Sequence, residues 1–207
     1  PRTSFLTAAY GTAKVREKRG FFSVKEKVER IARGQVIDAI TQDGDSVSLH
    51  GSFWDQPDST WHIVLHGLDD KQCTFKATAS INKGRACNRL CISGASHPEE
   101  EFFGFGAQYT HLHMKGRRIP VLSQEPGIGR GIQPLTGVMR LFNAGGSWSN
   151  TYAPSPVCLS TDLRGLCLEN SEYAVFDLRP PSAMRVGVFA EEMRGRLFVG
   201  ASPVELL

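Results

Sequence analysis

The residues of this chain that could do chemistry gather between Phe102 and Gly131, where Phe, Gly, His and Arg lie together with little periodicity. So long an irregular stretch in a compact domain marks a functional loop region rather than a plain connection. Within it, Ser123-Gln124-Glu125-Pro126 sets one carboxylate at the mouth of the glycine-rich turn Gly127-Ile128-Gly129-Arg130-Gly131. An ionised carboxyl group only accepts hydrogen bonds, and its two oxygens can take them from two vicinal sugar hydroxyls. A solvated loop acid would have the same sequence, and spacing alone leaves both readings open. The glycines do not make a nucleotide site. The dinucleotide fingerprint needs a third glycine where Ile132 stands, and no Lys-Ser/Thr pair follows for a phosphate loop.

His111-Leu112-His113 would put two imidazoles on one face of a strand, which is a way to hold a metal. No third ligand stands at a matching spacing, because Glu125 is twelve residues past His113, and Cys87 and Cys91 lie well upstream. The expectation is two partly exposed, hydrogen-bonding histidines, with no metal and no cofactor. Phe103-Gly104-Phe105-Gly106 has the aromatic-glycine texture of an RNA-recognition strand. That motif wants a basic residue where Phe103 stands and an aromatic where Gln108 stands, so the expected reading is a strand packed so tightly that only glycine fits.

These residues must be positioned by something, and the rest of the chain reads as β-structure. Short β-rich runs cover Trp61–His66, Cys73–Thr78, Arg89–Ser93, Val157–Ser160, Gly165–Glu169, Tyr173–Leu178, Met184–Phe189 and Leu197–Val199. Short strands spaced by roughly 8 to 12 residues, with turn signals between them, predict an all-β, antiparallel β-sandwich or barrel. Asp162-Leu163-Arg164-Gly165 reads as a hairpin turn with glycine at its end, and Pro180-Pro181 separates two further strands. In Phe22–Ile31 the positions Val24, Val28 and Ile31 fit a helical stripe, yet the all-β surroundings favour a strand. One short helix is expected near 134–143, where Leu135–Phe142 is closed by Gly145-Gly146.

The 41% hydrophobic content of the 207 residues supports a buried core and excludes disorder. No apolar run approaches the roughly 18 residues that span a bilayer, so no membrane partner is expected. A net charge of +3 is too even for a duplex grip, so no nucleic acid is expected either. Five cysteines form an odd set with no tight repeat, which suits buried, reduced thiols and a cytoplasmic location. At the far end, Ser202 followed by Pro203 and Glu205 reads as a capping box, so a helix is expected to begin there, with residues 1–201 as one domain and 202–207 as the start of another.

Four ordered blocks carry a family resemblance. They are Phe102 through Thr110 with Lys115-Gly116-Arg117, then Glu125-Pro126-Gly127-Ile128-Gly129-Arg130-Gly131, then Ser149 through Pro156, then Leu168 through Arg179. Together they resemble the amino-terminal domain of glycoside hydrolase family 31, and the Glu125 loop resembles its sulfoquinovosidase branch most. The chain departs from the family pattern at Ala107, where Glu is favoured, and at Pro126, where Gln is favoured.

The resemblance implies a galactose-mutarotase-like sandwich that braces a (β/α)8 barrel, the barrel holding the two aspartates of a retaining α-glycosidase. Such a pair needs carboxyl groups about 5 to 5.5 Å apart, and a barrel needs roughly 250 residues of its own. It also implies that this chain holds neither aspartate, and that its partners are an α-glycoside, with a sulfonated sugar as one candidate, and the barrel. Glu125 is implied as a direct ligand of sugar hydroxyls, with Gln124, Arg130 and Gln108 holding the loop or standing behind it. Lys115, Arg117 and Arg118 would add either a positive field for an anionic sugar or a solvated basic face. A homo-oligomer through an uncovered apolar face is a further expectation. Two other classes compete: a lectin-like sandwich, which would show exposed aromatics on one face, and a structural domain without sugar contact. Trp54, Trp61 and Trp148 are scattered along the chain.

Overall fold

In a computed structural model, the structure describes residues 4–206 apart from 82–84, 108–109, 131–133 and 143. The early strands are β1 (Leu6–Lys18), β2 (Phe21–Ala32), β3 (Gln35–Asp43), β4 (Ser46–Phe53), β5 (Thr60–Gly67) and β6 (Gln72–Ile81). The two-residue β7 (Arg85–Ala86), β8 (Arg89–Ala95), β9 (Phe102–Gly106) and β10 (Arg118–Val121) follow. After the helix α1 (Pro134–Leu141) come β11 (Pro154–Ser160), β12 (Arg164–Leu168), β13 (Ala174–Asp177), β14 (Ala183–Val188) and β15 (Glu192–Val199). A 3-10 turn at Pro203–Leu206 follows β15.

The strands form two antiparallel sheets. One runs β10-β13-β14-β8-β1-β2, and the other β3-β4-β5-β6-β15-β12-β11-β9 with β7 beside β6. Alternation along the strands that cover the core turns one set of side chains inward, as in β12, where Leu166 and Leu168 are buried. Leu6, Leu90, Phe176, Val186 and Val188 line the core from the smaller sheet; Phe53, Trp61, Phe75, Ala77 and Met193 line it from the larger one. Phe105 of β9 meets Phe176 of β13 edge to face at 5.1 Å, joining the two sheets. Each large side chain buried this way contributes about 1.5–3 kcal/mol, so the core holds the fold through many such contacts. Among the described residues no helix is long and apolar enough to cross a membrane.

The expected antiparallel sandwich and the short helix are present. The strand reading of Phe22–Ile31 holds as well: these residues lie in β2, zipped to β1 from Lys18↔Phe21 to Ala8↔Ala32. The helical stripe loses because the ladder to β1 satisfies the backbone along the whole length. The turn at 162–165 needs a correction. It sits earlier, with Leu163 at φ 56°, and Gly165 is already in β12, where a Cβ would strike the Phe198 ring. At the far end, the Glu205 carboxylate accepts from the Ala201 amide at 3.2 Å and from Lys71 at 2.5 Å, which pins the 3-10 turn beside the β5–β6 connection.

Candidate functional site

Glu125 lies on the segment between β10 and α1, and that segment is gripped from two sides. On one side is the tip of the long β1–β2 hairpin. Arg19 and Gly20 both have positive φ, 55° and 78°, the signature of a two-residue type I′ turn, and glycine takes the second position without a Cβ penalty. The Glu125 amide donates to the Gly20 carbonyl at 2.9 Å, and the Phe22 amide donates to Gln124 Oε1 at 3.3 Å. Arg19 Nη1 donates to the Phe142 carbonyl at 2.6 Å, so the same tip also holds the end of α1.

On the other side is the stretch Asn150-Thr151-Tyr152. The Gln124 amide donates to the Thr151 carbonyl at 2.9 Å, Asn150 Nδ2 donates to the Glu125 carbonyl at 3.1 Å, and Ser123 Oγ donates to the Tyr152 carbonyl at 2.8 Å. Short parallel bridges at Ser123–Thr151 and Ile128–Gly145 continue the contact. Backbone groups on both flanks of Glu125 are thus satisfied, which leaves its half-buried side chain as the adjustable part. The Tyr152 hydroxyl donates to Glu125 Oε2 at 2.5 Å, and Tyr152 itself is 64% exposed. That bond to a carboxylate raises the phenol's pKa, with burial and the negative charge adding to it.

The structure brings Gln124 and Glu125 together and gives them different surroundings. Gln124 is only 8% exposed and spends its amide oxygen on the hairpin. Arg130 is half-buried at the far end of the loop. Gln108 lies outside the described residues. Sequence reasoning missed Tyr152, Asn150 and the Arg19-Gly20 tip as parts of this site. The first two were inside a resemblance block but carried no separate signal; the tip could have been found from the glycine between two long β-capable runs.

Each histidine and cation of the 111–118 stretch has at least one close neighbour, although His113 Nδ1 and Arg117 Nε are buried without a partner among the described residues. Residues 111–117 are irregular, with a turn at 115–116, rather than a strand, so His111 and His113 do not share a strand face. His111 Nδ1 lies 3.0 Å from Arg117 Nη2, whereas His113 Nε2 faces Glu101 at 3.7 Å. Lys115 Nζ donates to Ser96 Oγ at 2.6 Å and to the His97 and Pro181 carbonyls. Arg117 stacks at 5.7 Å over Trp148, and Arg118 lies close enough to Tyr173 for its charge to act on that phenol. A field from these three cations would therefore act from side chains held against the protein. On β9, Gly104 and Gly106 lie against the backbone of the chain at Val157 and Ala153, which is the tight packing expected of them.

Two other surfaces bear on the alternatives. Trp61 is buried against Phe5 and Trp148 packs on the core, which leaves Trp54 as the exposed tryptophan, so the three form no shared stacking face. An apolar cleft of about 590 Å³ opens between the sheets, lined by Ile92, Phe102, Cys158, Leu166, Met184 and Leu197. It shares no residue with the Glu125 site; its exposed lining is mainly apolar, with Asp69, Asp70, Lys71, Gln72 and Arg164 also part of it.

No family profile matches the chain. It is 27% identical over 200 residues to a sulfoquinovosidase of Escherichia coli strain K12, covering 95% of this chain and 28% of that protein. It is 28% identical over 203 residues to a sulfoquinovosidase of Agrobacterium fabrum, covering 97% of this chain and again 28% of the relative. The chain thus spans little more than a quarter of the length of the curated relatives it matches. Among solved structures, it superposes with a TM-score of 0.82 and 24% identity on a family 31 sulfoquinovosidase from E. rectale, in complex with an aza-sugar inhibitor, over 96% of this chain and 28% of that one. A cycloalternan-forming enzyme from Listeria monocytogenes, in complex with a pentasaccharide, shares the fold at a TM-score of 0.61 and 10% identity, over 87% of this chain and 23% of that one.

Proposed function

We propose that this chain, whose matches fit the amino-terminal domain of a glycoside hydrolase family 31 enzyme, serves a retaining α-glycosidase acting on sulfoquinovosides. Residues 1–201 are the sandwich, and 202–207 open the (β/α)8 barrel. The sandwich braces that barrel and lends it the Glu125 loop. Hydrolysis belongs to two barrel carboxyl groups about 5 to 5.5 Å apart, one attacking the anomeric carbon and the other giving a proton to the leaving oxygen and then taking one from water. Glu125 accepts hydrogen bonds from sugar hydroxyls, while Gln124, Arg130 and Gln108 hold its loop. The protein works in the reducing cytoplasm.

The observation that carries this reading is the state of Glu125. Its backbone is pinned on both flanks, yet among the described residues its carboxylate is held by an exposed tyrosine alone, an arrangement that presents an acceptor rather than stabilising a core. In the full-length protein, Glu125→Gln is expected to lower kcat/KM for an α-sulfoquinovoside about ten- to a hundredfold, since hydrogen bonds to charged groups contribute about 1.5–3 kcal/mol. The melting temperature should stay where it was. Unchanged kinetics would make Glu125 an ordinary surface acid, and a fall in melting temperature would make it a structural one. The isolated chain should hydrolyse no glycoside, and turnover by the purified chain would overturn the assignment of catalysis to the barrel.

A further inference from the structure

A free carboxylate could meet two vicinal hydroxyls with its own two oxygens. Glu125 is not free in that sense. Among the described residues the hydrogen bond recorded to its carboxylate comes from Tyr152, and it occupies Oε2 at 2.5 Å. The Tyr152 ring is exposed, so no packing explains why its hydroxyl sits there. The backbone explains it instead. Ser123 Oγ holds the Tyr152 carbonyl at 2.8 Å, the Gln124 amide holds the Thr151 carbonyl at 2.9 Å, and Thr151 Oγ1 accepts from the Ala153 amide at 3.1 Å. The first two of these bonds, together with Asn150 Nδ2 on the Glu125 carbonyl at 3.1 Å, lace the two segments together and bring the two residues side by side.

A phenol has one proton and two lone pairs. Once the proton is given to Oε2, the Tyr152 oxygen can only accept from any further partner. We propose that Tyr152 is a positioning residue for Glu125, and that the pair presents two separate acceptors, Glu125 Oε1 and Tyr152 Oη, to two neighbouring hydroxyls of a sugar. This rests on the reading of Glu125 as a sugar ligand and deepens it. Oε1 takes the first hydroxyl with the strength of a charged acceptor, and Oη takes the second as a neutral one. The phenol is protonated at neutral pH by its ordinary pKa, and the hydrogen bond it gives to Glu125, with burial and the negative charge adding to it, raises that pKa further. The pair therefore keeps its polarity through the range in which such an enzyme works, and the exposed ring lies beside the same ligand, where an aromatic face can pack on a sugar.

Two measurements test the proposal. On this chain alone, the ultraviolet titration of its four tyrosines should show Tyr152 ionising late alongside the buried Tyr173, and Glu125→Gln should bring back the Tyr152 phenol while leaving Tyr173 late. In the full-length protein, Tyr152→Phe keeps the ring and removes Oη. It is expected to raise KM for an α-sulfoquinovoside about five- to twentyfold, the loss of roughly one hydrogen bond together with a loosened acceptor, with kcat changed less. Monodeoxy substrates give the readout that mere support of the loop would not move. One deoxy position that costs the wild type affinity should cost Tyr152→Phe nothing more. Tyr152→Phe and Glu125→Gln should also combine less than additively, because they remove parts of one unit. Wild-type kinetics for Tyr152→Phe beside a slowed Glu125→Gln would overturn this proposal and leave the Glu125 reading standing. Additive effects, with every deoxy penalty intact in Tyr152→Phe, would overturn it too. Wild-type kinetics for both variants would remove the Glu125 reading and this proposal with it.

Discussion

Arg164 closes on both carboxylate oxygens of Glu100, with Nη2 at 2.8 Å from each and Nε at 3.0 Å from Oε1. The Glu100 side chain is wholly inaccessible, whereas Arg164 reaches it from a partly exposed position. Ser160 Oγ adds a third donor at 2.5 Å, and Arg164 Nη2 also donates to the Ala95 carbonyl at 2.6 Å. The pair thus ties the β8–β9 connection to the β11–β12 hairpin. Burial alone would raise the pKa of Glu100, but hydrogen bonds from Ser160, Ser96 and Arg164 outweigh it and hold the carboxyl below its ordinary value.

Breaking that pair by one partner should be costly. Arg164→Leu leaves a buried carboxylate without its counter-charge, and a loss of about 3–5 kcal/mol is expected in a denaturant titration. Adding Glu100→Leu should recover much of it, since the stranded charge is then gone.

The same pair sets an acid limit. The folded pKa of Glu100 lies below the unfolded one, so its contribution is complete above the unfolded-chain value of about 4.3. It falls away as pH drops through the lower folded value, because the unfolded chain then binds the proton more readily. Melting curves from pH 7 to pH 3 should show this loss in the wild type and a smaller one in Glu100→Gln, measured against its own neutral value.

Gly20→Ala should act on the site from the hairpin. The residue has φ 78°, and a Cβ would meet the Glu125 Cβ at 3.2 Å. Strain in the left-handed region costs roughly 1–2 kcal/mol, which in a chain of this size lowers the melting temperature by about 2–4 °C per kcal/mol. A larger fall would mean that the tip does more than seat the loop, and no fall would mean that the turn relaxes freely.

The thiols should be slow. Burial pushes Cys87 and Cys91 up to about 11 and Cys158 to about 12. Little thiolate exists at pH 8 in these three, so alkylation of the native protein followed by mass spectrometry should leave them unmodified. Rapid labelling of Cys158 would show that the cleft between the sheets opens.

The outer face of α1 carries Leu135, Val138 and Leu141, with Phe142 just past its end, all exposed. A contiguous apolar patch of this kind favours association, so the isolated chain is expected above monomer mass in light scattering. Leu141→Glu with Val138→Gln should return it towards monomer mass, and a clean monomer without them would remove the expectation of a sticky face.

Much of this fold was legible because its signals are local. Alternation in Gly165–Glu169 and Tyr173–Leu178, proline at 180–181 and glycine after Phe142 each act over a few residues, so strands and helix in the second half could be placed by reading along the chain. The outer part of β1 and the run of β2 and β3 were not legible in this way. They are exposed on both faces, so they carry no apolar alternation, and only pairing with neighbours makes them strands. The loop acid Glu125 stood out by its place before a glycine-rich turn, and the family resemblance, not composition, implied its role. Its surroundings were not: Tyr152 lies 27 residues away, and the Phe22 amide that holds Gln124 lies 102 residues away. A hydrogen bond depends on distance in space and leaves no period in the sequence. The sequence by itself therefore determined the sandwich class and the position of the acid, and only the tertiary structure decided which tyrosine and which hairpin would hold that acid in place.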